Sequence, residues 1–331
     1  MVADNFSYIR PTSLNEAVRH LSLERAVVHA GGTDLMGCLR EGIFGVNTVV
    51  SITGLKALKG IAKTPEGGLR IGSLTTIADV ARHPVIKSSY RALAMAASEV
   101  ACPQLRNQGT LGGNLCQKPR CWYYRGEFDC LRKGGDLCYA VEGENAYHCI
   151  IGGDGCYIVH PSDTAAALIA LQATVTISGP DGQRTVAVED FHVSPSMDYT
   201  RETVLEPAEI VTSIVLPPPV EGQRSAYRKV RARRAWDFAL AGVALAGNFK
   251  GHRTADCRVV LSGAAPVPWR SFEAENVVKA GRLNRDRAAK AAAAAVQNAE
   301  PMTQNNYKMP LFRGLIEQEL MAIKRPDPIV A

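Results

Sequence analysis

Cysteine density constrains this chain more than any other feature of its sequence. Seven of the nine cysteines lie within about 55 residues, between Cys102 and Cys156. Such a segment is held together either by disulfides or by a metal. Residues 1–10 lack the apolar core of a secretory signal, so we expect folding in the cytoplasm, where thiols stay reduced. The density therefore favours a metal site, although export to the periplasm as part of a folded complex, on another chain's signal, stays open.

Most of these cysteines fall in residues 118–157, which follow neither a helical nor a strand period. This segment also holds seven of the chain's 21 aromatic residues, so we predict an ordered loop that a metal site holds in place. No pair with the C-x2-C spacing of structural zinc is present, and cysteines simply buried among aromatics are the alternative. The candidate ligands are Cys116, Cys121, Cys130, Cys138, Cys149, Cys156 and His148.

Two glycine-rich turns are the second chemical signal. Ala30-Gly31-Gly32-Thr33-Asp34 follows a predicted strand and precedes a predicted helix, and Thr110-Leu-Gly112-Gly113-Asn114 is a second such turn. Glycine lets backbone N–H groups approach an anion closely, and a dinucleotide pyrophosphate needs donors from two sides. The pattern is not GxGxxG, so a nicotinamide dinucleotide fold is not indicated. Ordinary turns without a ligand are the alternative.

Two further features each have a simple structural explanation beside a functional one. Asp163 opens a predicted helix, either as part of its N-terminal cap or as a carboxylate for the hydroxyls of a flavin side chain. The net charge is +6, and much of it comes from a basic cluster. We read this cluster first as a solvated strand face, then as a contact to an anionic cofactor or partner, and last as a nucleic-acid site. It consists of Arg228, Lys229, Arg231, Arg233 and Arg234.

The chain is long enough for two or three domains, and its N-terminal stretch is predicted to alternate between strands and helices. The proline run 217–219 is a candidate linker. The sequence contains no run of eighteen apolar residues, so no membrane span is predicted. No Ser-His-Asp set, HExxH motif or carboxylate pair indicates hydrolysis, so we expect no catalytic side chain in this chain.

Four motifs occur in one order along nearly the whole chain: Ala30-Gly-Gly-Thr-Asp-Leu35, Thr76-Ile-Ala-Asp79, Gln104-Leu-Arg-Asn107 with Gly109-Thr-Leu-Gly-Gly-Asn114, and Ala265-Pro-Val-Pro-Trp-Arg270. In this the chain resembles the medium, FAD-binding subunit of the xanthine dehydrogenase family. The resemblance implies a vanillyl-alcohol-oxidase (PCMH)-type FAD fold of two α+β subdomains, residues 1–58 and 59–218. It also implies a C-terminal domain of antiparallel sheet and helices, residues 222–331.

The resemblance also implies cofactors and the residues that hold them. FAD would bind non-covalently, with both glycine turns on its pyrophosphate, Asp163 near the ribityl chain and Lys229 near the flavin. The implied FAD residues are Ala30, Gly31, Gly32, Thr33, Asp34, Asn107, Thr110, Gly112, Gly113, Asn114, Asp163 and Lys229. A subset of the family, of the aldehyde oxidoreductase type, carries a [4Fe–4S] cluster on a loop like 118–157. The matching ligands are Cys121, Cys130, Cys138 and Cys156, and the nearby cations Lys118, Arg120, Arg125, Arg132 and Lys133 would offset the cluster's charge.

The implied function is electron transfer. A large partner subunit with a molybdenum cofactor would oxidise an aldehyde or N-heterocycle. Electrons would pass through two [2Fe–2S] clusters of a small partner subunit to FAD here, and on to an external acceptor, in a heterotrimer or a dimer of heterotrimers. Two alternatives are a self-contained flavin oxidase of the same superfamily and a metal-stapled scaffold without flavin.

Overall fold

The chain folds around three β-sheets, and helices pack on each of them. The computed structural model describes residues 5–250 and 253–323; residues 1–4 and 324–331, at the outer ends of the first and last predicted domains, lie outside it. The three sheets have three, five and four strands. Helices and sheets occur together in each part of the chain, so the predicted α+β class is confirmed.

The first sheet is parallel and positions the first glycine turn. Ser13 begins the first helix, because its hydroxyl accepts a hydrogen bond from the Glu16 amide at 3.2 Å. The glycine turn follows the C-terminal end of an edge strand, so its backbone faces out from that sheet edge. The strands are β1 (Ser7–Ile9), β2 (Ala26–His29) and β3 (Thr48–Ser51) in the order β1-β3-β2, and the helices are α1 (Leu14–Leu21) and α2 (Leu35–Arg40).

The second sheet is antiparallel and shares one hydrophobic core with the helices of the middle part of the chain. Its strand order is β4-β5-β8-β6-β7. The strands are β4 (Ile61–Lys63), β5 (Leu69–Gly72), β6 (Thr174–Gly179), β7 (Gly182–Ala187) and β8 (Ile210–Leu216). The helices are α3 (Ile77–Arg82), α4 (Pro84–Ser89), α5 (Arg91–Glu99), α6 (Pro103–Gln108), α7 (Leu111–Leu115) and α9 (Asp163–Ala170).

The second glycine-rich segment is helical rather than a simple turn. Thr110 precedes α7, and its hydroxyl accepts a hydrogen bond from the Gly113 amide at 3.2 Å. This cap offsets the low helix propensity of two consecutive glycines. The sequence predicts only a turn here, because glycine content outweighs the capping signal in so short a segment.

The third sheet is antiparallel and is covered by helices on both faces. Along β10, Val243 and Leu245 pack against the C-terminal helices, whereas Ala244 and Ala246 pack against the core of the middle region. Both faces are therefore apolar, as expected for a sheet between two helical layers. The strands are β9 (Gln223–Val230), β10 (Ala241–Lys250), β11 (Arg253–Ser262) and β12 (Trp269–Arg270), and the helices are α10 (Phe272–Lys279), α11 (Arg285–Ala294) and α12 (Lys308–Ile323).

The cysteine-rich segment 118–157 contains one short helix, α8 (Trp122–Arg125), and packs on the C-terminal region. Lys308 is fully buried, and its ammonium donates to the carbonyls of His148 and Gly263, both at 2.9 Å. Burial lowers the pKa of Lys308 to about 8. The Asn305 side-chain amide also donates to the carbonyls of His148 and Cys149. These buried donors hold the end of the segment in place.

Within the described ranges, we find no helix with the length and hydropathy needed to cross a membrane.

Candidate cofactor sites

A cleft between the first two sheets brings both glycine-rich segments together. It encloses about 260 Å³. Of the predicted FAD residues, eight line it: Ala30, Gly31, Gly32, Thr33, Asp34, Thr110, Gly112 and Gly113. A Cβ atom on Gly31 would lie 2.2 Å from the Gln108 carbonyl oxygen, so only glycine allows the two segments to approach this closely. The arrangement offers backbone groups from two sides, as a pyrophosphate requires.

The rest of this first cleft is mainly apolar, with one unsatisfied hydroxyl. Val28, Leu74, Ile210 and Val211 form apolar walls. Ser73 also lines the cleft, and its buried hydroxyl has no hydrogen-bond partner among the residues that the structure describes. A buried polar group without a partner is costly, so this hydroxyl is suited to a polar group of a ligand. No motif marks Ser73 in the sequence, because its role depends on the strand that ends beside the cleft.

Asp34 lines the first cleft, but its carboxylate is held by the cysteine-rich segment. One oxygen accepts from the Lys118 amide at 2.7 Å. The other accepts from Arg125 at 2.8 Å and pairs with Arg120 at 2.8 Å. These two arginines, which were predicted to offset charge at the cysteines, thus pair with the Asp34 carboxylate. Arg132, in contrast, lines a small cavity together with Cys121 and Cys130.

Asn107 and Asn114 lie outside the lining of the first cleft. Asn107 is exposed on α6. The Asn114 side-chain oxygen accepts hydrogen bonds from the hydroxyls of Ser162 and Thr164, both at 2.6 Å. Asn114 thus joins the second glycine-rich segment to the beginning of α9.

Asp163 and Lys229, which the resemblance placed near the flavin, form a buried ion pair. Ser162 is the N-cap of α9, so the carboxylate of Asp163 is free for other contacts. One oxygen accepts from the Tyr227 hydroxyl at 2.7 Å and the other from the Lys229 ammonium at 2.7 Å. Burial raises the pKa of Tyr227 well above its usual value, so it acts as a donor.

Most of the basic cluster is likewise paired: Arg228 with Glu319, Arg231 with Glu99 and Arg233 with Asp237.

Breaking this pair is expected to destabilise the protein strongly. Lys229→Met leaves the Asp163 carboxylate buried without its cation, and the loss of one partner of a buried pair costs about 3–5 kcal/mol. The free energy of unfolding, measured by urea titration, should fall by that amount. The double variant Asp163→Asn/Lys229→Met should recover part of the loss. A decrease below about 1 kcal/mol, the range of exposed pairs, would contradict this account of the pair.

A second cavity, of about 410 Å³, lies between the cysteine-rich segment and residues 232–239. The Arg120 guanidinium lies at the boundary between this cavity and the first cleft, because Arg120 lines this cavity and pairs with Asp34 of the cleft. Arg120 also lies over the Phe238 ring at 5.2 Å. The cavity is lined by Arg120, Cys121, Trp122, Tyr147, His148, Ile158, Val159, His160, Pro161, Ala232, Arg233, Asp237, Phe238 and Ala239. Sequence patterns did not reveal this cavity, since its residues come from four separate stretches.

Two buried histidines lie at the inner end of the second cavity. His160 lines the cavity, and its ring centroid is 4.2 Å from that of His192. His192 is hydrogen-bonded to the Leu115 carbonyl at 3.2 Å. Burial lowers the pKa of both imidazoles, that of His192 to about 4 and that of His160 well below its usual value. Both are therefore neutral at physiological pH.

These histidines predict a loss of stability in mild acid. Between pH 6.5 and about 4, the unfolded chain binds a proton at His192 that the folded protein does not, so stability falls as the pH is lowered. Each such group contributes about 1.4 kcal/mol per pH unit within its window. His192→Gln should flatten the pH dependence of the unfolding free energy by that slope. Equal slopes in the wild-type and His192→Gln proteins would contradict the assignment.

The four predicted cluster ligands line one small, enclosed cavity. Cys121, Cys130, Cys138 and Cys156 all face it, with Arg132 among its other walls. Burial raises the pKa of Cys121 to about 11 and also raises that of Cys156. Without a cation, Cys121 therefore stays protonated at neutral pH, and metal binding is what would convert it to a thiolate.

Of the other candidate ligands, Cys116 and Cys149 lie outside the lining of this cysteine cavity, whereas His148 is part of it. Cys116 lines the first cleft, and Cys149 is buried outside the cavity lining. His148 lines the cavity, with its Nε2 atom 3.4 Å from the Cys121 sulfur. Across residues 5–250 and 253–323, no three His, Cys, Asp or Glu side chains are close enough together to hold a single metal ion.

Comparisons with known proteins agree with this architecture. Residues 4–219 match the family model described as the FAD binding domain in molybdopterin dehydrogenase. Residues 225–322 match the CO dehydrogenase flavoprotein C-terminal domain. The chain is similar to the aldehyde oxidoreductase FAD-binding subunit PaoB of Escherichia coli K12, with 35% identity over 95% of this chain and 97% of that one.

More distant relatives extend the similarity to structure. The carbon monoxide dehydrogenase medium chain of Hydrogenophaga pseudoflava is 27% identical over 97% of this chain and 98% of its own length. A solved structure of carbon monoxide dehydrogenase from that organism superimposes with a TM-score of 0.77, 26% identity and 98% coverage of both chains. The resemblance inferred from the motifs is thus confirmed, and the chain belongs to the family of FAD-binding subunits of the molybdenum hydroxylases.

Proposed function

We propose that this chain is the electron-transfer subunit of a three-subunit molybdenum hydroxylase. It receives electrons from [2Fe–2S] clusters on a small subunit, while a large subunit with the molybdenum cofactor oxidises the substrate, an aldehyde or N-heterocycle. It delivers them, through bound FAD, to an external acceptor. The domain limits 1–58, 59–218 and 222–331, and a heterotrimer or dimer of heterotrimers, belong to the same proposal. The main support for this proposal comes from two spaces in a chain of this family, a glycine-lined cleft and a second cavity. Arg120 lines the second cavity and pairs with Asp34 of the cleft, so the two spaces lie side by side.

The residues of the first cleft and the second cavity fit FAD. Small-ligand pockets measure about 300–1,000 Å³, and a dinucleotide with two aromatic ends needs two adjoining spaces. The backbone of Gly31–Asp34 and Thr110–Gly113 would hold the pyrophosphate, and the unpartnered Ser73 hydroxyl is available to the adenosine half. Pro161 and Phe238 of the second cavity would then enclose the flavin ring, with Arg120 at its edge.

The cysteine cavity fits a cluster better than a single metal ion. A zinc ion holds sulfur ligands at about 2.3 Å, which requires the thiolates to converge tightly. Within the described residues no such convergence occurs, yet Cys121, Cys130, Cys138 and Cys156 face one cavity. Four thiolates spread around a common space suit a [4Fe–4S] cluster, and the Arg132 guanidinium beside them would offset its charge.

The chain's own residues bind, orient and shield these groups. FAD supplies the exchange of electrons between one- and two-electron partners. The glycine segments would fix the pyrophosphate, and the apolar residues of the second cavity would exclude water. Because Asp163 and Lys229 form an ion pair, the two side chains together would present no net charge to the flavin.

An anaerobic reduction experiment tests this function and its main rival, a self-contained flavin oxidase. In the purified complex, an aldehyde substrate should bleach the flavin absorbance. The isolated chain should keep its oxidised flavin with aldehyde, yet be reduced by dithionite. Reduction of the isolated chain by aldehyde would support the oxidase instead. A colourless, folded chain would support the scaffold alternative.

A further inference from the structure

The first cleft and the cysteine-rich segment meet at one carboxylate. Asp34 lines the cleft, and it accepts hydrogen bonds from the Lys118 amide and the Arg125 guanidinium and pairs with Arg120. The Asp34 side chain is only 17% exposed, so these charge-assisted contacts are shielded from water. Any shift of the first glycine turn is thereby transmitted to the beginning of the cysteine-rich segment.

Among the residues that contact Asp34, Arg125 makes the most hydrogen bonds. Its guanidinium donates to Asp34 at 2.8 Å, to Glu41 at 3.1 Å and to the Pro119 carbonyl at 2.7 Å. Its side chain is 12% exposed. Arg125 ends α8, which follows Cys121 directly, and its own position is outside the linings of the cleft and both cavities. Its contacts therefore fix the position of Cys121 relative to the turn that carries Asp34.

We propose that Arg125 is a positioning residue that couples FAD binding to assembly of the cluster. This inference rests on the proposed function, since it requires both cofactors. A filled cluster fixes Cys121 and α8, which holds Arg125 against Asp34 and keeps the first glycine turn in its binding conformation. By thermodynamic reciprocity, bound FAD then stabilises the cluster by the same factor.

A double-variant experiment on the full-length chain measures this coupling. The dissociation constant of FAD is determined by fluorescence titration of deflavinated wild-type, Cys138→Ser, Arg125→Gln and double-variant protein, with iron counted in each. Loss of the cluster through Cys138→Ser should weaken FAD binding by about 5-fold or more in the wild-type background. In the Arg125→Gln background, the same replacement should change it by less than about 2-fold.

Arg270→Gln is a matched control. Arg270 also pairs with two carboxylates, Glu189 and Glu275, and its side chain is 22% exposed. This variant should retain the full effect of Cys138→Ser on FAD affinity, because both carboxylate partners of Arg270 lie outside the cysteine-rich segment. If Arg125→Gln folds poorly, Glu41→Gln removes one of its two carboxylates, and a reduced but measurable loss of coupling is expected.

The possible failures are distinguishable. The wild-type protein could hold both cofactors and yet bind FAD no more tightly than Cys138→Ser. That result would overturn the coupling and leave the proposed function intact. Equal coupling in the wild-type and Arg125→Gln backgrounds would overturn the role of Arg125. Protein that binds FAD but no iron would overturn both the cluster and this inference.

Discussion

Gly31→Ala is expected to weaken FAD binding by about 10- to 100-fold. The added Cβ atom would lie 2.2 Å from the Gln108 carbonyl oxygen and 3.0 Å from its carbon, so the two glycine-rich segments must separate. Forcing an extra carbon into such a contact costs about 1–3 kcal/mol, and each 1.4 kcal/mol corresponds to a factor of ten in affinity. Fluorescence titration of the deflavinated protein measures the change directly.

Gly54→Ala is the matched control for this variant. Nothing lies within 4 Å of the Cβ position of Gly54, so the substitution meets open space. FAD affinity should be unchanged, and the unfolding free energy should not fall. Gly31→Ala protein that is folded and binds FAD as tightly as the wild type would show that the first glycine turn does not hold the cofactor.

Cys138→Ser is expected to remove the iron–sulfur cluster. Serine replaces a soft thiolate with a poor iron ligand, so iron should fall from about four atoms per chain to below about one, with acid-labile sulfide falling in parallel. FAD should stay bound, although more weakly, because its cleft is a separate site. Iron and sulfide assays on anaerobically purified protein, together with the visible spectrum, measure the loss.

Cys149→Ala tests whether the four cluster ligands have been assigned correctly. Cys149 is buried in the same segment but lies outside the cysteine cavity. Burial raises its pKa to about 12, as is typical of a structural thiol. This variant should keep its full iron content. Loss of iron in Cys149→Ala, with retention in Cys138→Ser, would show that the assignment of the four cysteines is wrong.

Local features of the binding turns could be predicted from the sequence because short-range chemistry determines them. The glycines at 31 and 32 predicted a close backbone approach, and a Cβ atom on Gly31 would indeed meet the Gln108 carbonyl. The structure brings the two glycine-rich segments together in one cleft, as a pyrophosphate site requires. The resemblance added what spacing could not, namely the choice of four cysteines among six, and these four do share a cavity.

The remaining parts of the site depend on tertiary contacts that no local pattern specifies. Asp163 was considered as a helix cap or a flavin contact, whereas its carboxylate is taken up by Tyr227 and Lys229, more than sixty residues away in sequence. Asp34 was assigned to the pyrophosphate, but its strongest contacts are with the cysteine-rich segment. Both outcomes depend on which distant cations the fold places beside a carboxylate.

The central claim, that one chain carries both FAD and a [4Fe–4S] cluster, is tested most directly by counting cofactors. Protein purified without oxygen should release one FAD and contain about four iron and four sulfide per chain, with a flavin spectrum overlaid on broad cluster absorption. FAD without iron would contradict the cluster, and folded protein with neither would contradict the claim altogether.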